Sequence, residues 1–379
     1  MKKISVWMLI LLIVAGCRQS YLPPVSAKNY SYLVVDGFLA ANDSSIIRLS
    51  RTVPISDSNL QRPEYGAQVT LTGDQGSVFL IPPVIGSDGK YATATLPLSP
   101  SEHYTLTVQT TDGKTYATDP LQMKIAPAVD SLNWDQPIPG TVNVYVTTHD
   151  PSNNTRYYRW DYVETWQYHT PWESSLEFEN GALSLRPPQK QIYNCWQSQQ
   201  SSNILIGSSL KLANDVIFRN PLVQILNPDE RLAVRYSILV NQYAITKEAF
   251  DYYHQLQSNS EQLGSIFGTT PSQLKGNVHS LSDPSEVVLG YIGAGSITHS
   301  RMFIDITQVQ PWLAPPVYDL CKRYTVPLNE LDHYFGTGIY IPIDYHYEGI
   351  ALVGIYGSDP YCVDCSARGG TSIKPSFWQ

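Results

Sequence analysis

The chain has 379 residues, with 33 acidic against 25 basic side chains and a net charge of −8. It contains no basic run, which argues against nucleic acid or an anionic lipid surface as a partner. Its length leaves room for two domains with sizeable cores, and 26 tyrosines and 27 prolines with only 15% charged residues suit an exported β-rich protein.

The N-terminus reads MKKISVWMLILLIVAGC. Lys2 and Lys3 precede a short apolar run from Ser5 to Val14, too short to span a bilayer, and Ala15-Gly16 then leads to Cys17. This is the pattern of a lipoprotein signal peptide over 1–16, with Cys17 as the lipidated residue. Loss of Lys2 and Lys3 leaves 23 basic against 33 acidic side chains, a net charge of −10. Lipid chains on Cys17 would hold the protein on a membrane that it does not cross. Residues 17–29, with Pro23 and Pro24 and no apolar periodicity, read as a tether.

From Tyr32 the pattern changes to strands. YLVVDGFLA, SSIIRLSRTVPI, GAQVTLTG, SVFLIPPVI, HYTLTVQT and KTYATDPLQMK follow one another, with turns at Asp74-Gln75-Gly76, Asp88-Gly89 and Asp112-Gly113. Short strands at this spacing predict a β-sandwich over 30–126. The second region, 127–379, continues with TVNVYVTTHDP, TRYYRWDYVETWQYHTPW, LAVRYSILVNQYAI and GIALVGIYG, while SEVVLGYIGAGSITHSRMFID reads as a hairpin about Gly293-Ala294-Gly295. One segment is helical, near 246–263. Thr246 is its N-cap candidate, Phe250, Tyr253 and Leu256 form its apolar face, Lys247, Asp251 and Gln255 its wet face, and Gly264 its stop. The expected fold is mainly all-β: two immunoglobulin-like β-sandwich domains, the second with a helical excursion.

Several side-chain groups invite a functional reading. In YYRWDYVETWQY the even positions Tyr158, Trp160, Tyr162, Trp166 and Tyr168 share one strand face, and Arg159, Asp161, Thr165 and Gln167 share the other. An aromatic stripe on a strand is normally core. Tyr157, His169 and Trp172 flank it and are the candidates for an exposed ligand-binding surface. Asp344, His346 and Glu348 fall on one face by period two, as a metal chelate or, preferably, a solvated face. Asp161 and Glu164 lie on opposite faces and make a poor glycosidase pair. Nucleophile-elbow, zincin, P-loop and dinucleotide motifs do not occur, so the reading is non-enzymatic, with no catalytic residue, cofactor or metal.

After Cys17, four cysteines remain: Cys195, Cys321, Cys362 and Cys365. An even number in an oxidising compartment reads as two disulfides. Three connectivities are possible, and Cys362 with Cys365 and Cys195 with Cys321 is the favoured one. The alternative is a zinc ion held by four thiolates. In the disulfide reading Phe377 and Trp378 plug the core at the end of the chain.

The segment from YSILVNQYAITKEAF through SQLKGNV, EVVLGYIGAGSI and the closing CVDCSARGGTSIKPSFW resemble a family of Bacteroidota lipoproteins catalogued as domain of unknown function 4249. The resemblance runs from the lipobox to the C-terminus, with the closing pattern as its most specific part. It implies an exported, lipid-anchored protein of the outer membrane, surface-facing, and a TonB-dependent transporter as partner, with an accessory or cap role. Surface members often carry acidic residues after the lipidated cysteine, whereas this chain has Arg18. Two other roles compete: a surface adhesin or glycan-binding module built on exposed aromatics, and a hydrolase with a hidden site of convergent carboxylates.

Overall fold

The computed structural model describes residues 31–54, 62–261, 274–309, 311–313 and 320–379. The expected signal peptide, Cys17, the tether and the Gly264 stop lie outside the described residues.

Strict alternation builds the first sandwich. In the strand Leu33–Ala40, Leu33, Val35 and Leu39 are fully buried, while Val34, Asp36 and Phe38 point the other way and are half-buried. The strand Ser44–Arg51 pairs with it antiparallel, from Leu33 opposite Arg51 to Phe38 opposite Ile46, and adds Ile47 and Leu49 to the same face. The opposing sheet carries Gln68–Gly73, Val78–Ile81, His103–Gln109 and Thr115–Thr118. Its Val69, Leu71, Tyr104, Leu106, Val108 and Tyr116 meet the first sheet in one apolar core.

This sandwich is not built from residues 30–126 alone. Val278–Ser280 extends the second sheet beside Thr115–Thr118, and Val288–Leu289 and Ile292–Gly295 run parallel to Leu33–Ala40. The hairpin expected about Gly293-Ala294-Gly295 is therefore absent. Ile292–Gly295 belongs to the first sandwich, and Ile297–Asp305 pairs with Arg235–Ala244 in another sheet. The chain crosses between the two at Ser296, where a Cβ on Gly295 would stand 2.2 Å from the Lys124 carbonyl oxygen.

The second sandwich packs Val129–Ile138, Thr141–His149 and Val216–Leu226 against a sheet centred on Tyr157–His169. Arg235–Ala244 lies on one side of that central strand, with Ile297–Asp305 beyond it, and Asn194–Gln200 and Leu205–Ser208 lie on the other. The aromatic stripe is core: Tyr158, Trp160, Tyr162, Trp166 and Tyr168 are all buried against Val142, Val144 and Val146. Several polar atoms inside are matched, although Trp166 Nε1 is buried without a hydrogen-bond partner among the described residues. Trp160 Nε1 donates to Gln242 Oε1 at 2.9 Å, and Gln242 Nε2 donates to the Pro127 carbonyl and to Thr148 Oγ1. Glu164 shares the buried face and accepts from Arg231 and Tyr236, both at 2.8 Å.

The helix Lys247–Glu261 is where the sequence places it, and Thr246 Oγ1 accepts the Ala249 amide as an N-cap does. Tyr253 is buried, and Phe250 and Leu256 are half-buried, as expected. Ala249 and Tyr252 are also buried, because the helix packs into the junction of the two sandwiches rather than on a single sheet face.

A third, smaller unit was not foreseen. Tyr324–Val326, Ala351–Ser358 and Ile341–Glu348 form a sheet, and the hairpin Leu176–Glu179 with Ala182–Leu185 packs on it through Leu176, Val326, Phe335 and Ile355. This unit corrects the cysteine pairing. The bonds are Cys195–Cys365 and Cys321–Cys362. Cys362 lies in the short helical turn Pro360–Val363 and Cys365 opens the next, with Asp364 extended between the turns at φ −105° and ψ 107°, so neighbouring thiols are sent to different partners. All four sulfurs required by the zinc alternative are thus committed to disulfides. Trp378 is buried beside Trp196 and Phe303, and Phe377, half-buried, lies under the Arg301 guanidinium.

Candidate functional site

The same alternation that buries one face of each strand presents the other to the junction. From Leu33–Ala40 come Asp36 and Phe38; from Tyr157–His169, Arg159 and Asp161; from Arg235–Ala244, Asn241 and Tyr243. The helix contributes Tyr252 and Tyr253. Together they line a cleft of about 680 Å³ between the two sandwiches, with Gln200, Ser201 and Asn203 on its rim. That volume lies in the range of about 300–1,000 Å³ typical of small-molecule sites.

Arg159 organises the floor. Its guanidinium lies 4.3 Å from the Tyr243 ring centre and 5.2 Å from that of Tyr253. Nη2 donates to Asp161 Oδ2 at 3.2 Å and Nη1 to Tyr253 Oη at 3.3 Å. Burial opposes the Arg159 charge, but the two phenols, Asp161 and Asp36 more than offset it, and its pKa rises. Asn241 Nδ2 donates to the second oxygen of Asp161 at 2.6 Å. Asn241 Oδ1 meets His299 Nδ1 at 2.8 Å, and His299 Nε2 lies 3.2 Å from Asp43 on the first sandwich. A chain of polar contacts therefore ties the sandwiches along one wall.

Asp36 is different. Burial pushes its carboxyl above the usual range, against the pull of Arg159, Arg48 and the Gly37 amide. No side chain among the described residues donates a hydrogen bond to it. Burial likewise raises Tyr243, Tyr252 and Tyr253, so these rings stay neutral and serve as donors and packing surfaces, not as nucleophiles.

The residues singled out in the sequence do not gather here. Tyr157 packs on Phe250 of the helix with ring centres 5.1 Å apart, and His169 stacks on Tyr193 at 4.9 Å. Trp172 borders a separate groove of about 970 Å³ beside the third unit, where the Arg323 guanidinium covers it at 4.6 Å. Asp344, Tyr345 and His346 pair in regular register with Tyr356, Ile355 and Gly354, and the register shifts after His346. His346 stacks on Tyr356 at 4.2 Å and bonds Thr325. Asp161 and Glu164 separate as expected, one to the cleft and one to the core. Asp36, Tyr243 and Tyr252 were missed. A lone carboxylate within the apolar run YLVVDGFLA was the one available signal.

Comparison with known proteins gives a profile match over residues 18–301, described as "Domain of unknown function (DUF4249)". The match ends before Cys321, Cys362 and Cys365, so the closing cysteine pattern lies outside it. No curated protein matches the sequence. Among solved structures, a two-domain fibronectin type III segment of chicken tenascin is similar at 11% identity, covering 57% of this chain and 91% of that one, with a TM-score of 0.17. The FN1–FN3 domains of chicken CNTN1 are similar at 13% identity, covering 56% and 59% respectively, with a TM-score of 0.22.

Proposed function

The chain belongs to the DUF4249 family, and on that premise we propose that it is a non-catalytic binding protein: a Bacteroidota lipoprotein, anchored to the outer membrane through Cys17, that serves as an accessory or cap subunit of a TonB-dependent transporter. The observation that carries the binding part of this reading is the cleft between the two sandwiches. It has the size of a ligand site, apolar and aromatic walls, and a few positioned polar groups. The transporter and the membrane enter from the signal pattern and the family resemblance.

Binding is favoured over hydrolysis by the state of the carboxylates. Asp36 and Asp161 both face the cleft, but Asp161 is held between Arg159 and Asn241. Paired acid–base chemistry needs two carboxyls free for proton transfer, and both oxygens of Asp161 are already engaged. The glycan-binding alternative calls for open aromatic faces, and Trp172 is covered by Arg323.

The test is affinity purification of the tagged, lipidated protein from solubilised outer membranes, with Cys17→Ser as the comparison. The expected result is a β-barrel transporter recovered in near-stoichiometric amount with the lipidated protein. A protein that elutes alone contradicts the accessory role. A Cys17→Ser variant that still fractionates firmly with the outer membrane removes the anchor but favours the partner.

A further inference from the structure

We propose that the junction cleft is built to receive an organic ammonium group, with Asp36 as its counter-charge and the tyrosines of the helix as its walls. This deepens the binding reading and rests on it.

The argument begins with the charges that line the cleft. Asp36, Asp43 and Asp161 face Arg48 and Arg159, three negative against two positive. Two of the carboxylates are already served: Asp161 by Arg159 and Asn241, and Asp43 by His299. Arg159 is engaged by Asp161 and the Tyr253 hydroxyl and lies over two rings, and it acts on Asp36 through its charge without donating a hydrogen bond to it. Arg48 is the cross-strand neighbour of Asp36, but it is exposed and makes no ion pair with it within 4.0 Å. Asp36 is left as the one carboxylate of the cleft without a side-chain partner among the described residues. A half-buried carboxylate in that condition carries a desolvation cost, and a cation arriving beside it offsets that cost.

The neighbouring surface selects the kind of cation. Tyr252 and Tyr253 meet edge to face with centres 5.4 Å apart, Tyr291 lies 5.2 Å from Tyr252, and Phe38 meets Tyr243 edge to face at 4.8 Å. Both helix tyrosines feel the Asp36 charge. Phe38, Tyr243, Tyr252 and Tyr253 line the same cleft as Asp36, and such rings beside one unserved carboxylate suit an alkylammonium, which gains from ring faces and needs only one anion. They do not suit a divalent metal, which takes six or more oxygens; no group of three or more His, Cys, Asp or Glu gathers among the described residues.

The test is calorimetric titration of the mature protein with benzylammonium, and separately with benzyl alcohol and benzoate, which share its shape but not its charge. The expected result is that benzylammonium binds at least tenfold more tightly than either. Asp36→Asn should lose that preference at least tenfold while melting no lower than the parent at neutral pH. Tyr252→Leu leaves Asp36 in place and should weaken the ammonium several-fold. Equal binding of ammonium and alcohol, or undiminished binding by Asp36→Asn, overturns the ammonium assignment but leaves a ligand cleft. Failure of all three probes overturns the assignment and counts against the cleft as the binding site.

Discussion

The junction and the third unit hold their parts together by opposite means. At the junction, two sandwiches and a helix meet through tyrosines, one guanidinium and a chain of polar contacts, with no disulfide across the cleft among the described residues. The third unit has cores of only a few buried residues, and two disulfides fasten it. A core that small contributes little by itself, so the staples substitute for apolar burial. The difference teaches where adaptation can occur. Cross-links fix the C-terminal unit, whereas the junction depends on side-chain contacts that a ligand can reinforce or compete with.

The largest expected effect breaks the stapled side. Cys195→Ser opens a link spanning 170 residues and should cost about 3–5 kcal/mol, measured by urea unfolding. Cys321→Ser opens a span of 41 and should cost about 1 kcal/mol less. Equal, negligible costs would mean that apolar packing alone holds the unit.

On the junction side, Tyr253→Ala should cost a few kcal/mol, close to the range of about 3–5 kcal/mol for truncating a large buried aromatic. Tyr253→Phe keeps the ring and loses only the hydroxyl to Arg159, so about 0.5–1.5 kcal/mol is expected. If the two variants cost the same, the helix is held by that hydrogen bond rather than by packing.

Two smaller effects depend on pH. Burial raises the Asp36 pKa, so the folded state loses stability as pH rises above the ordinary value of 3.8. Asp36→Asn should therefore raise the melting temperature at neutral pH, and the gain should vanish in acid. Asp150 behaves oppositely. Burial alone would push its carboxyl up, but hydrogen bonds from Ser152 and Thr155 hold it down at about 2. Its contribution is present above 3.8 and is lost as pH falls through about 2, so Asp150→Asn should flatten the acid limb of the stability curve.

The sequence announces what is local. Period-two alternation located the first sandwich and the buried stripe of Tyr157–His169, and Thr246 located the start of the helix. The hairpin Leu176–Leu185 carries its own local signal in Asn180-Gly181, both at positive φ. Val216–Leu226 was masked by Pro221 and by Arg219 at φ 50°, features that an edge strand tolerates. Long-range facts were not legible. Nothing in the run from 288 to 295 declares parallel pairing with Leu33–Ala40, and four cysteines admit three pairings. The cleft was hidden for the same reason: its lining runs from Val34 to Ile297, and the residues meet only because the chain passes repeatedly between the two sandwiches.

The central claim is that this protein works by binding at the junction. Hydrogen exchange on the lipidated protein, alone and within the assembly purified from outer membranes, tests it most directly. The account predicts slower exchange on assembly in Leu33–Ala40, Lys247–Glu261 and Ile292–Gly295. Unchanged exchange in those three segments, with protection confined to the hairpin of Ile341–Glu348 and Ala351–Ser358, would contradict it.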